Sequence, residues 1–306
     1  MTEIQTVIDA VGLGALYALM AVGIALVFGV MRLINFAYGQ LIMFGAYALA
    51  FTNDLPEGVS ILICLGVVVG LSLTMGVAFA PLRRAAPATM LVATFAVSFL
   101  LQSIALLRYS FTNKPIGDPA VVFSGLNKAF TVGSVHVRWI TLVLIATGLA
   151  CLAVLALLLN RTRIGLQIRA AAADFQTARL LGVNAGRVIA FAFLVSGVLA
   201  AIVAVLLVVQ RPFVTPDYGL QETIIVLVAV VVGGIDRLGT ATLGGFAIGF
   251  ATGLFGGFLP GQSPEGSFPF TTRVYLDSVI FLLVIVVLLL RPAGLFARGR
   301  GPVERV

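Results

Sequence analysis

The chain has 306 residues, 60% of them hydrophobic and only 10% charged, with a formal net charge of +7. A soluble core of this size needs far less apolar surface, so the composition is that of a polytopic membrane protein. Its apolar runs are continuous rather than alternating, which excludes a closed β-barrel. The positive charge is therefore read loop by loop against a lipid bilayer and not as a footprint for nucleic acid.

The first apolar run spans Val7 to Val30 and stops at Arg32. No basic region precedes it, so it is expected to be a retained span rather than a cleaved signal. A polar, aromatic break from Asn35 to Gln40 separates it from a short run, Leu41 to Phe51. A third run, Val59 to Ala80, ends at Pro81 with Arg83 and Arg84, and a fourth covers Pro87 to Leu107. A polar connection, Arg108 to Arg138, leads to a fifth run, Trp139 to Leu159. After the central loop come Val188 to Val209, a connection from Gln210 to Gly219, a run from Leu220 to Gly234, and a second break through Asp236 and Arg237. A glycine-rich run, Thr240 to Leu259, and a last one, Val274 to Leu290, precede a basic tail, 291–306. The expected fold is an all-α polytopic membrane protein, one transmembrane domain over 1–306 with about eight or nine transmembrane helices, short or broken ones among them, and an internal repeat.

The segments placed on one side by this alternation carry thirteen basic residues against six on the other. The positive-inside rule then puts the N-terminus outside and the C-terminus in the cytoplasm. Both breaks fall on the cytoplasmic side, which fits a parallel repeat better than an inverted one. Paired interruptions in two halves point to a transport pathway, because irregular backbone at membrane depth is tolerated only beside protein or water. The other reading is two ordinary tight loops. Few polar residues lie within runs. Asn35, Gln102, Gln221 and Glu222 are candidates to line a path, and the first break adds Gln40, with Phe36 and Tyr38 as an apolar wall beside Asn35. Glu222 also suits the outer interface.

The central loop, about 160–187, holds five arginines and one acid. Asp174 is a good N-cap and Gly182 a good helix stop, and between them lies an expected helix of about two turns, Phe175 to Leu181. Phe175, Ala178 and Leu181 give it an apolar side. A capped helix rimmed by Arg169 and Arg179 is a shape another protein can grip; the alternative is a solvated loop with an incidental turn. Cys64 and Cys151 lie inside apolar runs and His136 is the only histidine, so no disulfide framework or metal spacing is present. The chain has no phosphate-binding loop and no paired-carboxylate or Ser-His-Asp set, so it is expected to be no enzyme and to need no cofactor.

Several segments carry a resemblance. Gly29 to Gln40, reading G-V-M-R-L-I-N-F-A-Y-G-Q, resembles the N-F-A-H-G-E segment of the high-affinity branched-chain amino acid ABC transporter permeases. Ile168 to Asp174 and Ala178 to Asn184 look like the ATPase-contacting loop of that family. Val232 to Ile235 and Arg291 to Phe296 also follow its pattern, and the likeness, strongest to the H-type permease, runs in order along nearly the whole chain. Tyr38 stands in place of the usual His, Gln40 in place of Glu, Ala173 where an acid is common, and Asp236-Arg237 in place of Gly-Ser. The resemblance implies an importer of branched-chain amino acids or a related small polar solute in the bacterial inner membrane. It also implies a second homologous permease subunit, two cytoplasmic ABC ATPase subunits and a periplasmic substrate-binding protein. Arg169, Asp174, Phe175, Ala178, Arg179, Leu181 and Gly182 would couple to the ATPase. The competing class is an ion-coupled secondary transporter, which needs a buried acid or histidine relay; the spans offer little beyond Glu222.

Overall fold

The computed structural model describes residues 3–52, 54–112, 129–132, 135–210, 214–235, 237–258 and 276–291. The Pro260 to Arg273 loop, most of the Arg108 to Arg138 connection, Asp236 and the tail beyond Arg291 lie outside them. Eleven α-helices are described. Six are long and apolar enough to cross a membrane and three more are apolar but shorter, which accounts for the nine runs. One small addition to the helical plan is a two-stranded antiparallel hairpin, Ala129–Val132 with Val135–Arg138, ahead of the fifth run.

The chain begins with α1 (Glu3–Met31), which is apolar all round and almost wholly buried, as such a helix must be when it forms the centre of a bundle. It ends at Arg32, whose φ of 55° is left-handed. Two helices of 14 residues follow long ones: α2 (Tyr38–Phe51) after α1, and α9 (Leu220–Gly233) after α8 (Ala185–Gln210). At 1.5 Å per residue each is about 21 Å long, short of the ~30 Å hydrocarbon core. Each leads into a long helix, α3 (Glu57–Phe79) and α10 (Leu238–Phe258). The pattern long–short–long thus occurs twice.

Packing follows the same exchange: α1 lies on α10 while α8 lies on α3, and α2 meets α8 while α9 meets α1. The α1–α10 seam is antiparallel and built on small residues. Gly257 faces Thr6, Gly253 faces Ala10, Gly249 faces Gly14 and Tyr17, and Gly245 faces Tyr17 and Ala21. Glycine at every fourth position lets two backbones approach where side chains would hold them apart. The α8–α3 seam is antiparallel too: Gly197 meets Ser72, Gly76 meets Phe193, and Ser72 Oγ donates to the Phe193 carbonyl at 2.6 Å. Since α2 turns back between α1 and α3, these two antiparallel seams mean that the halves run in opposite senses. The repeat is inverted, not parallel.

The counterpart of the Asn35–Gln40 break is therefore the stretch before α9, which ends at Gly219 with φ 86°, and not the second break expected from the sequence. The described residues there instead make a short connection between the end of α9 and the start of α10. Gly234 takes φ 103°, Thr240 Oγ1 donates to the Gly234 carbonyl at 2.8 Å, and Gly233 packs on Gly244.

The remaining elements are a 3-10 turn at Pro81–Arg84, α4 (Pro87–Thr112), α5 (Trp139–Arg161), α6 (Arg163–Ala173), α7 (Phe175–Leu180) and α11 (Leu276–Leu290). Helices α3, α4 and α5 leave most of their surface uncovered, with Leu62, Val92, Phe99, Leu149 and Val154 more than half exposed. That surface suits lipid or a second subunit.

Candidate functional site

The break after α1 lies well inside the bundle. Its Ile34 carbonyl accepts from Thr94 Oγ1 at 3.0 Å, and Gln40 Nε2 donates to Ser98 Oγ at 3.2 Å. Thr94 and Ser98 sit two and three turns into α4, so the break meets α4 at membrane depth rather than at its end. Asn35 is buried, and its Oδ1 accepts the Ala37 backbone N–H at 3.1 Å, closing an Asx turn that starts α2. Phe36 stands edge-on to Phe95 with centroids 5.6 Å apart, and Phe95 in turn meets Phe99. Tyr38 is fully buried, with its ring over Gly23 of α1, and its hydroxyl has no hydrogen-bond partner among the described residues; Gln40 Oε1 is likewise buried without one among them. Each group costs free energy where it stands.

The first turns of α2 and α9 abut. Gly39 lies against the Gly219 carbonyl and the Thr223 hydroxyl, so the two short helices start from one point and run apart. Glu222, in the first turn of α9, is buried within the protein. It borders a cavity of about 120 Å³ together with Leu207, Thr215, Asp217, Tyr218 and Gln221. The structure thus gathers Asn35, Tyr38, Gln40 and Glu222 around the paired helix starts, with Phe36 on the α4 side. Gln102 is half-buried one turn beyond Ser98 and shares its face of α4. Thr94 and Ser98 were missed in the sequence, although with Gln102 they recur at four-residue spacing, which puts all three on one helix face.

The central loop contains two helices, not one. Thr162 caps α6 by accepting the Gly165 N–H at 3.0 Å, and α6 buries Ile168 and Ala171. Arg169 donates to Asn160 Oδ1 at 2.9 Å, which ties α6 back to the end of α5. Asp174 caps α7: its Oδ1 accepts the N–H groups of Gln176 and Thr177 at 2.9 and 3.1 Å, and its Oδ2 accepts the Thr177 hydroxyl at 2.6 Å. The Thr177 hydroxyl and backbone bonds hold the Asp174 carboxyl below its ordinary value.

At the other end of α7, Gly182 has φ 88° and donates to the Arg179 carbonyl, while Val183 donates to the Ala178 carbonyl, both at 3.1 Å. This is a Schellman closure. Asn184 then caps α8 through the Arg187 N–H. Ala178 is buried and Phe175 half-buried against the core, but Leu181 does not share their side. The helix stops at Leu180, and Leu180 and Leu181 stand 87% and 81% exposed. Arg179 is exposed and, with Phe175 and Gln176, borders a cleft of about 810 Å³ that reaches to Ala80 and Pro81.

Compared with known families, residues 6–289 match the model described as branched-chain amino acid transport system, permease component. The chain belongs to this permease family. The permease is 30% identical over 318 residues to the high-affinity branched-chain amino acid transport system permease protein BraD of Pseudomonas aeruginosa, with 99% of this chain and 98% of that one covered. It is 30% identical over 321 residues to the LivH permease protein of Escherichia coli K12, covering 99% and 97%. A more distant relative, 25% identical over 289 residues with 92% and 88% covered, is the probable LivH permease protein of Methanocaldococcus jannaschii. In fold it resembles a solved structure described as an inward-facing conformation of a metal-chelate type ABC transporter, with TM-score 0.50, 18% identity, and 94% and 85% of the two chains covered. As a permease component it is a multi-pass, non-catalytic subunit of an ABC transporter, and ATP hydrolysis lies in separate subunits.

Proposed function

We propose that the chain is one of two homologous permease subunits of an importer for branched-chain amino acids or a related small polar solute, driven by two cytoplasmic ABC ATPases and fed by a periplasmic binding protein. The observation that carries this reading is α7: a short helix capped at both ends, seated by Ala178 and Phe175, that holds two bare leucines and Arg179 outward beside an open cleft. Exposed leucines on a rigid mount suit a protein partner. The excess of basic residues at this end supports the inner-membrane orientation with the N-terminus outside and the tail in the cytoplasm. Asn35, Phe36, Tyr38, Gln40, Gln102 and Glu222 border or gate the path in this reading, and Arg169 to Gly182 form the ATPase-docking loop.

ATP can drive import only by binding one conformation better than the other. The fold offers a route for that preference: α7 leads through the end of α6 to the base of α1 and the break. The experiment is ATP-dependent uptake of labelled leucine, isoleucine, valine, urea and short amides by cells that carry or lack this gene, with Leu181→Asp in parallel. The reading requires uptake of at least one solute to depend on the gene and to be lost in Leu181→Asp while membrane abundance is kept. Uptake independent of the gene would overturn it.

A further inference from the structure

Tyr38 opens α2 with its ring laid over Gly23, a position about 12 Å along α1 from Met31. Gly23 is the notch that admits the ring, since a Cβ there would strike the Tyr38 hydroxyl and ring carbons. The hydroxyls around this node are already committed. Ser196 Oγ of α8 donates to the Gly23 carbonyl at 3.0 Å, and Thr223 Oγ1 of α9 donates to the Gly219 carbonyl at 2.6 Å. The Tyr38 hydroxyl is fully buried and has no partner among the described residues. A phenylalanine would fill the same notch without burying a polar group, so the hydroxyl works against the conformation in which it stands. The joint next to it has the form of a pivot. Gly39 and Gly219 face each other reciprocally, a Cβ on either meeting the carbonyl of the other, and residues 32–37 between α1 and α2 are not helical.

We propose that Tyr38 is a two-state latch on α2. In the notch its ring packs dry on α1 and holds α2 in the conformation seen here. Swung out about the Gly39–Gly219 contact, its hydroxyl meets water admitted along the break, which offers both a donor and an acceptor. The ring therefore favours the dry seat and the hydroxyl favours the wetted one. Because the two terms oppose each other within one side chain, neither conformation lies deep, and a partner with a modest preference for one of them shifts the balance. The Ser196 bond keeps the notch fixed to α8 while α2 moves. The proposal rests on the importer reading and adds to it the residue that sets the resting conformation.

Cys64 supplies the probe. It is buried in α3, and a Cβ at Gly45 of α2 would lie 3.3 Å from its Sγ, so α2 covers the thiol. The test uses the complete transporter, with all its membrane and ATPase subunits, in lipid nanodiscs. Cys151→Ala leaves this chain a single thiol, and the rate of N-ethylmaleimide addition is read from the intact mass of the chain. Tyr38→Phe keeps the ring and removes the hydroxyl. It should slow addition by about tenfold, raise the melting temperature and lower the maximal uptake rate per inserted molecule. Gly23→Ala crowds the notch and should speed addition. Addition to Tyr38→Phe at the unaltered rate or faster would overturn the proposal, as would full-rate uptake by that variant in a transporting complex; a ring that only fills space gives both results. If Gly23→Ala fails to assemble, Tyr38→Phe decides alone. Slower addition to Tyr38→Phe in a complex that moves no solute upholds the latch and sinks the importer reading alone.

Discussion

Arg32 Nη2 donates to the Ala172 carbonyl oxygen at 3.1 Å, joining the end of α1 to the last turn of α6 across 140 residues of chain. The guanidinium also lies 5.8 Å from the Phe28 ring centre. A cation at the carbonyl end of a helix is favoured by its dipole, so Arg32 fastens the base of the central helix to the segment that carries α7.

Replacing Arg32 separates the side chain from the backbone. Arg32→Gly removes the guanidinium and relieves the left-handed strain of about 1–2 kcal/mol that a Cβ carries at this φ, whereas Arg32→Ala removes the guanidinium and keeps that strain as it is in the wild type. Both variants should lose most ATP-driven uptake, and the alanine variant should melt at a lower temperature than the glycine variant. Wild-type uptake by Arg32→Gly would show that this tie plays no part in coupling.

Asp174 gives a pH expectation with a definite sign. Its folded carboxyl titrates below the ordinary value, so the cap's contribution is present above the unfolded carboxylate range and is lost as pH falls through the lowered folded value. Amide exchange at Gln176 and Thr177 should therefore show unchanged protection from about pH 8 down to about pH 5, after correction for the intrinsic exchange rate. Asp174→Asn should retain α7 and the ATPase on purification, since asparagine caps well, and Asp174→Ala should shed both. Retention of the ATPase by the alanine variant would remove the cap from the docking argument.

The glycines of α10 are not equivalent to those of α3. A side chain at Gly249 would strike Leu13, Gly14 and Tyr17, whereas one at Gly66 meets nothing within 4 Å. Gly249→Leu should cost about 1–3 kcal/mol or more through overpacking and lower the yield of monodisperse protein in detergent, while Gly66→Leu should leave it unchanged. Comparable yields from the two would contradict the antiparallel α1–α10 seam.

Asn35 can be tested in both its capacities. Asn35→Asp keeps an acceptor for the Ala37 N–H, and Asn35→Leu removes it, at about 0.5–2 kcal/mol for a lost cap. If the side chain also borders the path, Asn35→Leu lowers the maximal uptake rate per inserted molecule. Abundance falling in step with uptake, with Asn35→Asp normal in both, would leave Asn35 a turn-former only.

Most of the helices were legible because each is a continuous apolar run between polar punctuation, and Asp174, Gly182 and Asn184 were legible because capping is chemistry of the single residue. What escaped depends on distance in the chain. Helix α6 was read as loop although Thr162 caps it and Ile168 and Ala171 are spaced to bury one side; its polar residues hid it inside an arginine-rich stretch. Spacing puts Leu181 on an apolar side with Phe175 and Ala178, but the helix ends one residue earlier and the Gly182 closure turns it out. The depth of the first break, the pairing of α1 with α10 and the inverted sense of the repeat follow from partners far apart in sequence, for which local pattern carries no signal.

The seam between α1 and α10 also sets a timetable. Helix α1 leaves the ribosome roughly two hundred residues before α10, which at ordinary elongation rates is on the order of tens of seconds. For that interval the small-residue flank of α1, with Thr6 and Ala10 bare, stands in lipid without the helix built to cover it. A nascent chain stalled before Leu238 would expose this flank as an open invitation to membrane proteases and to chance helical neighbours, so the permease stays vulnerable until its synthesis is nearly over.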